Sequence, residues 1–374
     1  MIRNLNIYKF FALLNNNGHL TGFRSAIYCS NSFQEARFEN DSFVFCSYDH
    51  KNAIEALHST KPSSLKFGTL ISFRPEKTFS FNSVNEFISE NKHINRIKLQ
   101  AKTSKEEYIR TANQLKEHIQ KGDIYEINYC ITFEAFGAVI DPFDIYSRLN
   151  KISKAPYSAL VKLDDKYIIS ASPELYLGKR GNKLFTKPIK GTAKRGATES
   201  EDLDHRKDLF NSLKERTENV MIVDVARNDL SRVAKKGSVK VEKLYDIETY
   251  DQVHQMVSTV SCELKENISQ HDVINATFPM ASMTGAPKIK AMELIDDYES
   301  YSRGPYSGCM GYIDENGDFD LSVLIRSIFY NSTEKYLSYS VGSAITALCD
   351  PEKEYEECLL KANAMKKVLE GTIE

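Results

Sequence analysis

Two pairs of glutamates stand three residues apart, Glu215 with Glu218 and Glu354 with Glu357, in segments whose apolar periodicity predicts helices. A spacing of three puts both carboxylates of a pair on one helical face. Should the two faces meet, they supply hard oxygen donors and leave room for waters, a set that suits Mg²⁺ better than zinc. Taken alone, paired glutamates on a helix are usually a solvated acidic face, and the signal is weak until something else brings the two helices together. A second constellation is cationic: between Gly178 and Gly196 lie Lys179, Arg180, Lys183, Lys187, Lys190, Lys194 and Arg195, with no carboxylate among them. The chain carries 49 Lys+Arg against 51 Asp+Glu, a net charge of −2. The run is therefore either a local anion trap or one solvated face of a hairpin. Lys190 differs from its neighbours, because it follows Pro188-Ile189 at the end of an apolar strand and precedes Gly191-Thr192, where backbone can approach a ligand. A lysine partly desolvated among other cations is expected to have a lowered pKa and to act as nucleophile or base.

Three further segments could touch a ligand. Ser282-Met283-Thr284-Gly285-Ala286-Pro287-Lys288 is a small-residue loop ahead of a periodic helix, and amides at a helix start bind carboxylate or phosphate. It lacks the Gly-Lys-Ser/Thr ending of a phosphate-binding P-loop. Gly342-Ser343-Ala344 closes another strand in the same style. Arg326, inside the apolar run Leu324-Ile325-Arg326-Ser327, needs a partner, either a ligand carboxylate or a structural Asp or Glu. His254 reads as a general acid/base or as a satisfied structural histidine.

The elements that must position these groups read as α+β with antiparallel sheets. Tyr108, Ala112, Leu115 and Ile119 recur at helical spacing until Gly122, and an apolar strand follows from Ile124 to Phe133. A helix is predicted over Pro142 to Leu149. Strands are predicted over Tyr157 to Leu163, Tyr167 to Ala171, Glu174 to Gly178 and Lys183 to Ile189, separated by turn chemistry at Asp164-Asp165 and Gly181-Asn182. Residues 199 to 221 read as one long amphipathic helix with an acidic start. A hairpin around Asp314-Glu315-Asn316-Gly317, a strand from Tyr336 to Val341 and a Lys/Glu-rich helix over 352 to 370 complete the C-terminal part. Residues 1–100 show nothing catalytic and are expected to contribute to the same large fold; 101–374 form the catalytic part.

Composition narrows the function classes. With 374 residues, 41% hydrophobic and 27% charged, the chain belongs with soluble globular proteins and away from disordered ones. No run approaches the length that crosses a bilayer, and the first residues are too interrupted for a signal peptide. Seven cysteines without a Cys-x-x-Cys pair predict buried thiols in a reducing compartment. A cytoplasmic protein that binds neither membrane nor nucleic acid is expected; the basic hairpin has only Phe185 among its cations.

Read in order, several segments resemble the chorismate-utilising enzymes, the superfamily of anthranilate synthase component I. Lys121-Gly122-Asp123-Ile124-Tyr125-Glu126-Ile127-Asn128 is similar to a family segment in which Gly-Asp-Ile is followed by Tyr or Phe, then Gln, Val or Ile, and Asn. Ser172-Pro173-Glu174, Pro188 to Thr192, Met221 to Leu230, Thr284 to Lys288 and Arg303-Gly304-Pro305-Tyr306-Ser307-Gly308 resemble further signatures, so the match runs from Ser104 to the C-terminus. Lysine at 190, where anthranilate synthases carry alanine, makes the aminodeoxychorismate synthase component I branch the nearest. Anthranilate synthase and isochorismate synthase remain the alternatives within the superfamily. A non-catalytic anion-binding homologue is the alternative outside enzymes, and it would have no use for the lysine and the acid together.

The resemblance implies a four-layer α/β/β/α sandwich with the site in a cleft. It implies Lys190 as covalent nucleophile, Glu174 as general acid and His254 near the substrate ring. Mg²⁺ would lie on Glu218 and Glu357, with Glu215 and Glu354 holding its waters. Gly191, Thr192, Ser282, Tyr306, Arg326, Gly342 and Ser343 would bind chorismate, the last two through backbone amides. Both Lys190 and Glu174 are expected to titrate near neutrality. Ala281 and Ala344 stand where the family usually has glycine and add methyls near the substrate. The chain has no Gly-x-Cys-x-Gly elbow, so ammonia is expected from a separate glutamine amidotransferase subunit or from free ammonium.

Overall fold

The computed structural model describes residues 5–19, 25–32, 37–55, 57, 59, 61–81, 83–84, 96–250 and 253–370. Among them two large sheets stack face to face, and every strand pair within them is antiparallel. The first runs in the order Gly285–Ala286, Glu126–Ala135, Tyr336–Thr346, Ser327–Asn331, Lys166–Ser172, Tyr157–Leu163, Phe10–Asn15, Ala26–Ser30 and Lys77–Ser80. Gln100–Ala101 adds to Glu126–Ala135. The second runs Ile189–Lys194, Val253–Glu263, Lys183–Lys187, Leu175–Arg180, Phe319–Val323, Cys309–Ile313, Ser42–Cys46 and Leu70–Phe73, with Lys240–Thr249 also on Val253–Glu263.

Period-two alternation explains the layering. Along Phe10–Asn15, Phe10, Ala12 and Leu14 point into the core between the sheets. Phe11 and Leu13 point the other way, into a core shared with helices Lys105–Lys121, Pro142–Ser153 and Pro351–Glu370. Both faces are covered, so the strand is apolar from Phe10 to Leu14. Stacking of Tyr28 on Tyr312 at 3.9 Å ties the two sheets together. Helices Glu199–Asn211 and Leu213–Val233 pack against strands of the second sheet, which completes the expected α/β/β/α order. Strands from the first hundred residues pair with both sheets, Phe10–Asn15 with Tyr157–Leu163 and Ser42–Cys46 with Cys309–Ile313.

Local signals place most elements where they were read. Lys105–Lys121 buries Tyr108, Thr111, Ala112 and Leu115, one stripe at helical spacing, and ends at Gly122 with φ +83°. Two readings need correction. The single helix expected over 199–221 is two helices, because Ser212 takes an extended backbone and its hydroxyl caps the amide of Glu215. The second helix then runs on to Val233, so the Met221 to Leu230 signature is helical. The strand expected over Lys183 to Ile189 breaks at Pro188, and Ile189–Lys194 pairs separately with Val253–Glu263. The polar stretch from Ser83 to Lys102, whose composition suggests a connection, lies partly outside the described residues. All seven cysteines are free and buried, and no described helix is long and apolar enough to cross a membrane.

Candidate active site

Lys190 sits in a bulge. The register of Ile189–Lys194 against Val253–Glu263 shifts between Ile189 and Thr192, and Gly191 adopts φ +89° there. A Cβ at Gly191 would lie 2.9 Å from Glu215 Oε2 and 3.0 Å from Leu209 Cδ1, so the lysine strand is pressed against the acidic helix. We expect Gly191→Ala to cost about 1–2 kcal/mol in backbone strain alone. It also displaces Glu215 and Lys190, so turnover should fall by more than thermal stability does; comparing kcat with the melting temperature checks this.

The bulge turns the Lys190 side chain inward, leaving it 11% exposed, with Nζ donating to Glu126 Oε1 at 2.6 Å and lying 4.0 Å from Glu218 Oε2. Burial by itself pushes the amine down, but the carboxylates of Glu126 and Glu218 outweigh it and hold the ammonium well above the usual lysine range. The expected lowering is thus overturned for the free protein. Lys190 lies among carboxylates, not among cations. Glu174, buried nearby, behaves as expected: burial pushes it up to about 7, against the opposing pull of Ser282, Lys190, the Ile189 amide and Lys361.

The two acidic helix faces do meet. Lys214 Nζ lies 2.8 Å from Glu354 Oε1 and 4.0 Å from both Glu218 Oε1 and Glu357 Oε2, so one ammonium gathers carboxylates from both helices. Glu218 Oε1 is buried with no hydrogen-bond partner. Burial pushes Glu218 up to about 7, and burial raises Glu215 as well. Glu357 is instead held low, because Lys361, Lys214 and Lys190 overcome its burial. An all-carboxylate set with a buried oxygen lacking a donor fits a hard divalent cation in its chemistry, and the Lys214 ammonium marks where positive charge is wanted. Among the described residues no three such side chains already stand at metal-binding spacing.

A chain of contacts runs from the Ser282 loop to Arg326. Asn128 donates to the Ser282 carbonyl at 3.2 Å, Cys130 Sγ lies 3.1 Å from Asn128 Oδ1 and 3.9 Å from the Tyr306 hydroxyl, and Tyr306 faces Arg326. Arg326 is held by a left-handed backbone, φ +50°, and its guanidinium is lowered by burial with only the Tyr306 phenol opposing. Among the described residues no carboxylate pairs with it. Of the two partners open to it in the sequence, the structural one is absent.

A family model for chorismate binding enzymes matches residues 24–367. The chain belongs to that family. Over 330 residues it is 38% identical to a probable chloroplastic aminodeoxychorismate synthase of Oryza sativa subsp. japonica, covering 86% of this chain and 36% of that protein. Over 290 residues it is 37% identical to anthranilate synthase component 1 of Acetivibrio thermocellus, covering 76% and 57%. The chain therefore spans only 36–57% of the length of these relatives, and near-equal identities do not choose between their reactions. Anthranilate synthase component I from Streptococcus pneumoniae TIGR4 superposes with a TM-score of 0.77 over 91% of this chain and 83% of that one; at 24% identity the likeness shows the fold alone.

In this chorismate-binding enzyme the remaining expected residues divide. His254 is 1% exposed and has both ring nitrogens engaged, Nε2 with Asp202 Oδ1 and Nδ1 with Thr249 Oγ1, each at 2.9 Å. It sits as a buried, satisfied side chain. Thr192 is exposed on the edge strand. Ser282 is buried beside the Glu174 carboxyl, and its hydroxyl makes no close hydrogen bond. Gly342 has no room for a Cβ, because the Asn128 side chain and Cys130 Sγ fill that space, and its carbonyl accepts from Lys361 at 3.0 Å. The Ser343 hydroxyl turns to the opposite face and bonds Tyr108 at 2.6 Å, so only its backbone is left for a ligand.

The anion-trap reading of the basic hairpin is overturned. Lys179, Arg180, Lys183, Lys187, Lys190 and Arg195 pair with Asp318, Asp320, Glu242, Glu248, Glu126 and Asp202 respectively. The partners come from distant strands, a turn and a helix, so six of the seven cations are neutralised internally. Sequence reasoning gave no role to Glu126, Lys214 or Asp202. Only Glu126 carried a signal, since it occupies the position where the family segment has glutamine. The buried pair of Arg303 with Glu299 was also unforeseen; its guanidinium further donates to the Met283 and Asn128 carbonyls and fixes the loops that flank the cleft.

Proposed function

We propose that this chorismate-binding enzyme aminates chorismate at C4 to give 4-amino-4-deoxychorismate, the precursor of para-aminobenzoate, in the cytoplasm. The observation that carries the reading is the buried amine of Lys190 in one cleft with Glu174, an acid that titrates near neutrality. In this reading Lys190 attacks C2 of the ring while Glu174 gives its proton to the departing C4 hydroxyl. Ammonia then adds at C4 as the lysine leaves, so one difficult displacement becomes two allylic ones. Because the free protein holds Lys190 as an ammonium, the loaded cleft must release that proton before attack. Arg326 receives one substrate carboxylate, with Tyr306 beside it. Glu218 and Glu357, backed by Glu215 and Glu354, would hold Mg²⁺, which supplies charge for the other carboxylate. A glutamine amidotransferase subunit, or free ammonium, provides the nitrogen.

Incubating the protein with chorismate, Mg²⁺ and ammonium and identifying the product by mass spectrometry tests the reading. A product that keeps its enolpyruvyl group and gains nitrogen supports it; anthranilate with pyruvate, or isochorismate, refutes it. Arg326 gives an independent check. Arg326→Met removes charge-assisted hydrogen bonds worth about 1.5–3 kcal/mol, so KM for chorismate should rise roughly 10- to 150-fold. The same change removes a half-buried cation with no carboxylate partner among the described residues, and the free protein should gain about 0.5–2 kcal/mol in denaturant unfolding.

A further inference from the structure

Against Glu174 lies a small cavity of about 20 Å³, lined by Glu174, Ser282, Ala226, Asp229 and Thr277 among others. That is room for about one water, which needs roughly 10–15 Å³ on this measure and two or more polar partners. The partners are present. Ser282 Oγ is buried beside the Glu174 carboxyl and makes no close hydrogen bond, so a further partner is open to it. Glu174 and Asp229 both line the same space. Asp229 belongs to the Met221 to Leu230 signature and pairs with Lys288 of the Thr284 to Lys288 signature at 2.6 Å. Lys288 also donates to the Thr277 carbonyl at 3.0 Å and the Pro279 carbonyl at 2.6 Å. The reaction has so far given neither residue a part.

We propose that the cavity holds one water bridging Ser282, Glu174 and Asp229, and that Asp229 acts through it as a positioning residue that returns a proton to Glu174 after each turnover. This rests on the reading of Glu174 as the acid. As the C4–O bond breaks, Glu174 gives its proton to the departing oxygen, which leaves as water. The cavity water then passes a proton to the Glu174 carboxylate and takes one from the Asp229 carboxyl. Asp229 recovers its proton from solvent at the edge where Arg232 and Glu55 form an ion pair of 3.6 Å. No electrons are exchanged. The groups facing Glu174 are Lys190, Lys361 and Ser282; those facing Asp229 are Lys288, Arg232 and Glu55, and the phenol of Tyr176 in the cavity wall is held by Thr277 at 2.6 Å. Burial raises both carboxyls, Asp229 to about 6 against the pull of Lys288 and Glu174 to about 7, so either can carry a proton close to neutral pH. A substrate filling the cleft blocks the front of Glu174, and the cavity gives it a second entrance.

Two variants test this on the full chain, with chorismate consumption as the readout whatever the product. Asp229→Asn keeps an oxygen for Lys288 but cannot carry the proton. Ala226→Val puts methyl groups where the water would sit and changes no charge. Since a general acid contributes about 10²–10⁴-fold, losing its resupply is expected to lower kcat about tenfold in each variant, with KM for chorismate nearly unchanged. The solvent deuterium isotope effect on kcat should rise, and the double variant should be no slower than Asp229→Asn. Should Asp229→Asn fail to fold, Ala226→Val decides. A folded variant with wild-type kcat and isotope effect overturns the relay. A failure of the acid assignment itself shows elsewhere, as full activity in Glu174→Gln, and a failure of the amination reading shows in product identity.

Discussion

Lys190→Ala is expected to lower chorismate amination by about 10³-fold or more, the scale seen when a nucleophile is removed from a set of residues that act as a unit. What turnover remains should grow in proportion to added ammonium, because direct attack by ammonia no longer needs the covalent step. The same substitution should damage the fold. Lys190 neutralises Glu126, which is 1% exposed, and stands beside Glu218, which is 8% exposed. Removing one partner of a buried pair costs about 3–5 kcal/mol, because the other is left charged in a medium that cannot solvate it. A loss of activity in Lys190→Ala could therefore be blamed on instability. The double variant Glu126→Gln/Lys190→Ala separates the effects, since the neutral amide no longer needs a counter-ion. Its unfolding free energy should return most of the way to wild type, while amination stays as low as in Lys190→Ala. Amination that recovers together with stability would remove Lys190 from the chemistry.

The glutamate pairs and Lys190 could be found in the sequence because their signals are local. A spacing of three defines a helix face, and a glycine after an apolar strand marks a place where the chain turns. The charge state of Lys190 could not be read in this way. It is set by Glu126, which lies 64 positions away and joins the site only when Glu126–Ala135 and Ile189–Lys194, in different sheets, are brought face to face. The same limit undid the basic hairpin, whose carboxylate partners arrive from Lys240–Thr249 and from around Phe319–Val323. The break at Ser212 failed for another reason. The acidic and apolar pattern continues across it, and a single serine cap is a weak signal inside a strong periodicity. Lys214, one residue into the new helix, then lands between the glutamates as a consequence of a boundary that periodicity does not reveal. Arg326 was recognised as a charge in need of a partner, and only packing could show that no carboxylate among the described residues supplies one.

Glu174→Gln is expected to lower kcat by about 10²–10⁴-fold with little change in KM, the range for losing a general acid. The pH dependence is the sharper test. Burial raises the Glu174 carboxyl from 4.5 to about 7, so the protonated form that donates is present below that value. Activity limited by this group should be level on the acid side and fall about tenfold per unit as pH rises beyond about 7, whereas the residual activity of Glu174→Gln should lack that limb. The same shift acts on stability. A carboxyl that holds its proton more tightly when folded contributes stability that is complete below 4.5 and is lost as pH rises through about 7. Glutamine never ionises, so Glu174→Gln should gain in melting temperature relative to wild type on going from about pH 6 to about pH 8. Glu218 also titrates near 7 and weakens both proteins alike, and the difference between them isolates Glu174. A variant that melts in parallel with wild type across that window would mean that Glu174 is already ionised in the folded protein. It could then not serve as the donor to the departing hydroxyl, and another group would have to protonate C4.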